Sequence, residues 1–149
     1  MDKQYEELMD HMKQGGIVAV NNFKRKPNKV DSEILYCEVK PNGQGTFTSK
    51  QIESLLIEKI CFKFDRTTLL SQELRARTLL NSFSSTDKKV VLFINNNKNL
   101  SERMYKYVKS LYETVMSRTE SQICIIFNHD NTENKLPLQL QFRSTQLNF

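Results

Sequence analysis

Val90-Val91-Leu92-Phe93-Ile94 is an unbroken apolar run that stops at Asn95-Asn96-Asn97. Leu100 to Ser117 follows with helical spacing, and a second apolar run, Ile123-Cys124-Ile125-Ile126-Phe127, stops at Asn128-His129-Asp130. Runs that are apolar at every position and bounded by turn residues suit strands buried on both faces. Two such runs joined by a helix predict adjacent parallel strands with their C-termini at one edge of the sheet. Ligands of open α/β sheets bind at that edge. Here the edge carries Asn95, Asn96 and Asn128, amides where a catalyst would want carboxylates.

Outward from this unit, helices continue to alternate with apolar runs. Tyr5 to Lys13 is amphipathic, with Tyr5, Leu8, Met9 and Met12 on one side, and Gly15-Gly16 ends it. Ile17-Val18-Ala19-Val20 and Ile34-Leu35-Tyr36-Cys37-Glu38-Val39 read as strands. The polar, basic segment Phe23 to Asp31 between them reads as a loop. Thr48 or Ser49 can cap a helix reaching Ile60, with Ile52, Leu55, Leu56 and Ile60 inward. A further helix over about Leu69 to Phe83 would bury Leu70, Leu74, Leu79, Leu80 and Phe83. In the long helix, Met104, Val108, Leu111 and Val115 form the expected stripe, flanked by Tyr105 and Tyr112. Leu136 to Phe149 alternates at Leu138, Leu140, Phe142 and Leu147, as a terminal strand would, with Pro137 at its start. The pattern predicts one α/β domain over residues 1–149, a three-layer sandwich with a mainly parallel sheet.

The net charge of +5 permits contact with nucleic acid without requiring it. Cys37, Cys61 and Cys124 are odd in number and lie in apolar segments, which suits buried, reduced thiols. No Cys/His cluster suggests a metal, and no apolar run approaches membrane-spanning length.

Taken in order, the chain resembles the AAA+ ATPase core of the origin-recognition and replication-licensing family. Val91-Leu92-Phe93-Ile94-Asn95-Asn96 with Leu100 follows the Walker B pattern of four apolar residues, two acids and a leucine. Asn128 falls at the polar sensor position, Asn42-Gly43 at the loop after the second strand, and Phe142-Arg143-Ser144 at the closing strand. The resemblance implies a P-loop-NTPase-like core without its lid. It places Arg143 where a trans-acting arginine finger would reach a neighbour's phosphate, although a strand-end arginine in a salt bridge is the preferred assignment. Asn128, with no nucleotide to sense, is expected to cap a turn.

The departures decide the expected function. Val20 is followed by Asn21-Asn22-Phe23-Lys24-Arg25-Lys26, with no glycine to let backbone N–H groups curl round phosphates. Asn95 stands at the magnesium-binding aspartate and Asn96 at the water-activating glutamate. An amide is no general base and offers a cation no charge. The resemblance therefore implies a silent pseudo-ATPase, without cofactor, kept for protein contacts. Its expected setting is a nuclear DNA-replication or chromatin-silencing complex, or the cytoplasm if the source is bacterial or viral. The expected partner is an intact AAA+ subunit or a chromatin factor, with DNA contact secondary.

Other constellations compete. Glu38 and Lys40, preceded by Asp31, also look like the Glu-x-Lys strand of the PD-(D/E)xK nucleases, in which Asp31 and Glu38 would hold magnesium and Lys40 would steady the attacking water. Lys24, Arg25, Lys26 and Lys29 could form a nuclear-localisation or phosphate-contact patch, or a solvated loop. The helix 102–109 interleaves tyrosines with basic residues, as single-strand binders do, but its apolar stripe is that of an ordinary core helix. His11 and His129 are expected at the surface.

Overall fold

The computed structural model describes residues 3–21, 23, 33–61, 70–95, 100–129 and 144–148. Its elements in chain order are α1 (Lys3–Gln14), β1 (Gly16–Asn21), β2 (Ile34–Val39), α2 (Ser49–Cys61), α3 (Gln72–Ser85), β3 (Lys89–Ile94), α4 (Glu102–Arg118), β4 (Ile123–His129) and β5 (Ser144–Asn148). The strands form one five-stranded sheet in the order β2-β3-β4-β1-β5. Every pairing is parallel, and the two inner apolar runs are neighbours in register Val90↔Ile123 to Ile94↔Phe127.

Two cores follow from the period-2 alternation of side chains. Val18, Val20, Val91, Phe93, Cys124 and Ile126 meet Leu8 and Met12 of α1 on one face. Ile17, Ala19, Cys37, Val39, Leu92, Ile125 and Phe127 meet Ile52, Leu56, Leu79, Phe83, Val108 and Leu111 from α2, α3 and α4 on the other. The result is the three-layer α/β sandwich expected from the alternation of elements. β3 is buried at Val90–Ile94 and β4 throughout, as continuous apolar runs require.

Side-chain caps set the helix starts. Ser71 Oγ accepts from Leu74 N–H at 3.2 Å, Ser101 Oγ from Met104 N–H at 3.2 Å, and Thr48 Oγ1 from Gln51 N–H at 3.1 Å. After α1, Gly15 takes φ +86° and its N–H returns to His11 C=O at 2.8 Å. A Cβ at Gly15 would sit 3.1 Å from the Ile123 carbonyl, so both the left-handed turn and the close approach to β4 call for glycine.

Several expectations need correction. α3 starts at Gln72, so Leu70 lies outside it, and Leu74 is 44% exposed. The buried stripe is Arg75, Leu79, Ser82 and Phe83, spaced i, i+4, i+7 and i+8. A buried partner for Arg75 rotates the helix away from the all-leucine phase: Arg75 Nε donates to Glu53 Oε1 at 2.8 Å. In α4, Tyr105 is buried rather than flanking, its ring 5.3 Å from that of Phe127. His129 is buried because β4 extends through it, pairing with Asn21 of β1. Cys61, the last residue of α2, is exposed, whereas Cys37 and Cys124 are buried. Leu138, Leu140 and Phe142 lie outside the described residues; β5 buries Leu147.

Candidate functional site

The C-terminal edge of the sheet brings together residues from four strands or strand ends. Asn128 lies in β4 opposite Val20 of β1, and Asn95 follows β3, its N–H bonded to Val39 C=O at 3.0 Å. Glu38 lies in β2 opposite Phe93, and Phe23 is buried just beyond β1. By alternation, Glu38, Asn95 and Asn128 share the α1 face with Phe93 and Ile126.

These groups form one hydrogen-bonded row. Asn128 Oδ1 accepts from Phe23 N–H at 3.2 Å, and Asn128 Nδ2 donates to Phe23 C=O at 3.0 Å. One carboxamide thus satisfies both backbone groups of a residue outside the ladder, as a neighbouring strand would. Asn128 Nδ2 also donates to Asn95 Oδ1 at 3.0 Å, and Asn95 Nδ2 donates to Glu38 Oε1 at 3.2 Å. Asn95 therefore accepts on one side and donates on the other. An aspartate there could accept from Asn128 but would turn a carboxylate oxygen toward Glu38.

An aromatic row lies on the same face. Tyr5 stacks on Phe23 with centroids 6.4 Å apart; Phe23 and Phe93 are 6.0 Å apart, and Phe93 and Tyr36 5.7 Å. Burial, with a smaller contribution from Glu38, pushes the Tyr36 hydroxyl well above its ordinary range. The amide row thus rests against an apolar wall, which strengthens its hydrogen bonds and raises the penalty for an unpaired charge.

The remaining site candidates are less connected. Lys40 is exposed one residue past the end of β2, and its C=O accepts from Gln51 Nε2 at 2.7 Å. Lys24, Arg25, Lys26, Lys29, Asp31, Asn96 and Arg143 lie outside the described residues. Glu38, weighed above as a magnesium ligand, meets the Asn95 amide. Among the described residues, no group of three His, Cys, Asp or Glu side chains is placed to hold a metal ion.

A second polar network, between the helices, escaped the sequence reading. Glu53 of α2 accepts from Arg75 of α3 through Oε1 and from the Tyr107 hydroxyl of α4 through Oε2, at 2.7 Å. Arg75 Nη1 also donates to Leu70 C=O at 3.1 Å. The Glu53 and Arg75 side chains are 8% and 6% exposed, so this is a desolvated ion pair with its hydrogen bonds made. Burial, then the bond to Glu53, raises the Tyr107 pKa well beyond the tyrosine range. The available signal was a charge at position 75 in phase with Leu79 and Phe83. Burial pushes the Cys37 and Cys124 thiols up to about 12, which leaves them un-ionised and unreactive in the fold.

No family model matches the chain, and no curated protein matches it. Among solved structures, it is similar to the crystal structure of a DNA polymerase III, gamma subunit-related protein from Thermotoga maritima. The TM-score is 0.50 at 12% identity, over 99% of this chain. The match takes up 46% of that protein, so this chain spans about half its length. At that identity the likeness shows the fold alone: a five-stranded parallel sheet flanked by helices.

Proposed function

We propose that this protein is a catalytically silent AAA+-like interaction module of a DNA-replication complex, acting through protein contacts. The observation that supports it most is the bonding of Asn95. At the position corresponding to the magnesium-binding acid, its amide is committed on both sides, to Glu38 and to Asn128. Asn128, at the sensor position, is in turn committed to the backbone of Phe23, in the segment where a P-loop would begin. The side chains of Glu38, Asn95 and Asn128 bond to one another and to Phe23 instead of facing a triphosphate. The connection to replication draws on the name of the structural neighbour, a DNA polymerase III-related protein, and on the resemblance to origin-recognition modules. On this reading the setting is a nuclear replication or chromatin complex, and the partner is an intact AAA+ subunit or a chromatin factor.

Titration calorimetry with ATP and magnesium tests the proposal: no saturable heat is expected. Tight, saturable binding accompanied by turnover would overturn it. Incubation with DNA and magnesium tests the nuclease alternative: cleavage by the wild type that disappears in Glu38→Ala would replace this reading with an Asp31/Glu38/Lys40 nuclease.

A further inference from the structure

β2 is an edge strand, and its backbone polarity can be worked out residue by residue. Lys89 N–H donates to Glu33 C=O at 2.9 Å and Asn95 N–H to Val39 C=O at 3.0 Å, within an unbroken register from Ile34↔Lys89 to Val39↔Ile94. In a parallel pair, alternate residues of a strand bond to a given neighbour. Residues 33, 35, 37 and 39 therefore bond to β3, and Ile34 and Tyr36 turn their N–H and C=O groups outward. Among the described residues no strand lies beyond them.

Natural sheets protect such edges with lysine, proline, bulges or inward charges. β2 reads Ile-Leu-Tyr-Cys-Glu-Val, with no proline, lysine or bulge, and its one charge is hydrogen-bonded to Asn95. The opposite edge strand, β5, reads Ser-Thr-Gln-Leu-Asn and is largely polar. Leu35 and Tyr36 are half-buried, so apolar surface flanks the open backbone on both faces of β2.

We propose that the β2 edge pairs antiparallel with β2 of a second copy of this chain, about a two-fold axis at Leu35. Ile34 then faces Tyr36 of the other copy. Each such pair exchanges two hydrogen bonds, so four form from these outward-facing groups. Leu35 faces Leu35 across the close, non-hydrogen-bonded position. Glu33 faces Cys37, so no like charges meet among these residues. Aromatic against β-branched and leucine against leucine are favourable cross-strand pairs. A two-fold contact of this kind closes on itself and leaves no further β2 edge to polymerise.

Sedimentation equilibrium of the whole chain, together with amide exchange, tests this. A dimer is expected, with the Ile34 and Tyr36 amides gaining protection as concentration rises. The Cys37 amide, already bonded inside the sheet, is the internal control and stays protected throughout. Leu35→Lys and Leu35→Glu should each weaken association by roughly tenfold or more, through like charges directly opposed. An equimolar mixture of the two should restore the dimer, which a variant that had merely misfolded could not do. A wild-type monomer with concentration-independent exchange at Ile34 and Tyr36 would overturn the proposal. So would a dimer indifferent to both substitutions, or variants that stay monomeric when mixed.

Discussion

Replacing Asn95 by aspartate is the most informative single perturbation of the strand-end row. Asn95→Asp keeps the acceptor for Asn128 but replaces the donor that lies 3.2 Å from Glu38 Oε1 with a carboxylate oxygen. Two unit charges about 3.2 Å apart repel by about 1 kcal/mol at the dielectric constant of water and about 5 kcal/mol at an effective value near 20. Both side chains are half-buried, so the repulsion falls between these limits. Loss of the hydrogen bond adds about 1 kcal/mol. The expected destabilisation at pH 8 is therefore about 2–6 kcal/mol, a large share of a domain's stability. It should shrink as the pH falls into the carboxylate range, where the introduced carboxylate takes up a proton. Urea unfolding followed by circular dichroism, at pH 8 and pH 4, measures both effects. Adding Glu38→Gln should recover most of the loss, because the glutamine amide can donate to the new carboxylate. Equal stability of Asn95→Asp and wild type at pH 8, or no recovery in the double variant, would refute the assignment of Asn95 as a bridging donor and acceptor.

Removing one member of the inter-helix ion pair, as in Arg75→Met, should cost about 3–5 kcal/mol by stranding the Glu53 carboxylate. The paired replacement Arg75→Met with Glu53→Leu should recover much of that, as chemical denaturation would report. Thiol titration of the native protein should modify Cys61 rapidly and leave Cys37 and Cys124 protected until unfolding, which peptide mapping after alkylation would reveal. Stability should also decline as the pH rises above about 9. Cys37 and Cys124 hold their protons in the fold up to about 12 but ionise in the unfolded chain near their ordinary value of 9.0, so the unfolded state binds fewer protons across that window. Thermal melts between pH 8 and 11 should show the decline, and Cys124→Ala should make it shallower.

The strands were legible in sequence because parallel strands covered on both faces need apolar residues at every position, and β3 and β4 have them. The helix starts were legible at Thr48, whose hydroxyl is a local cap. The phase of α3 was not legible. A charged residue is ordinarily assigned to the solvent side, and only a partner from another helix, Glu53, makes position 75 an interior one. Tyr105 reads as flanking its stripe for a similar reason: the ring that receives it, Phe127, comes from the following strand. At the strand ends, the amides Asn95 and Asn128 stand out in sequence because each closes an apolar run at the edge where ligands of open α/β sheets bind. Their bonding to Glu38 and Phe23 depends on strand adjacency and on a carboxamide filling two backbone valences, and neither is written in local spacing. Glu38 belonged to a separate constellation in sequence, with Asp31 and Lys40. In the fold, β2 lies beside β3, and Glu38 thereby joins the amide row.

The strand order has a consequence for how the protein is made. Among the described residues β1 lies between β4 and β5, so it leaves the ribosome well before either of its partners. At about 5–20 residues per second, synthesis from the end of β1 to the end of β4 takes roughly 5–20 s. Throughout that interval the nascent segment Gly16–Asn21, apolar from Ile17 to Val20, has none of its eventual β partners. Such a segment is a natural client for chaperones, and slowing translation ahead of β4 should lower the soluble yield more than slowing it afterwards.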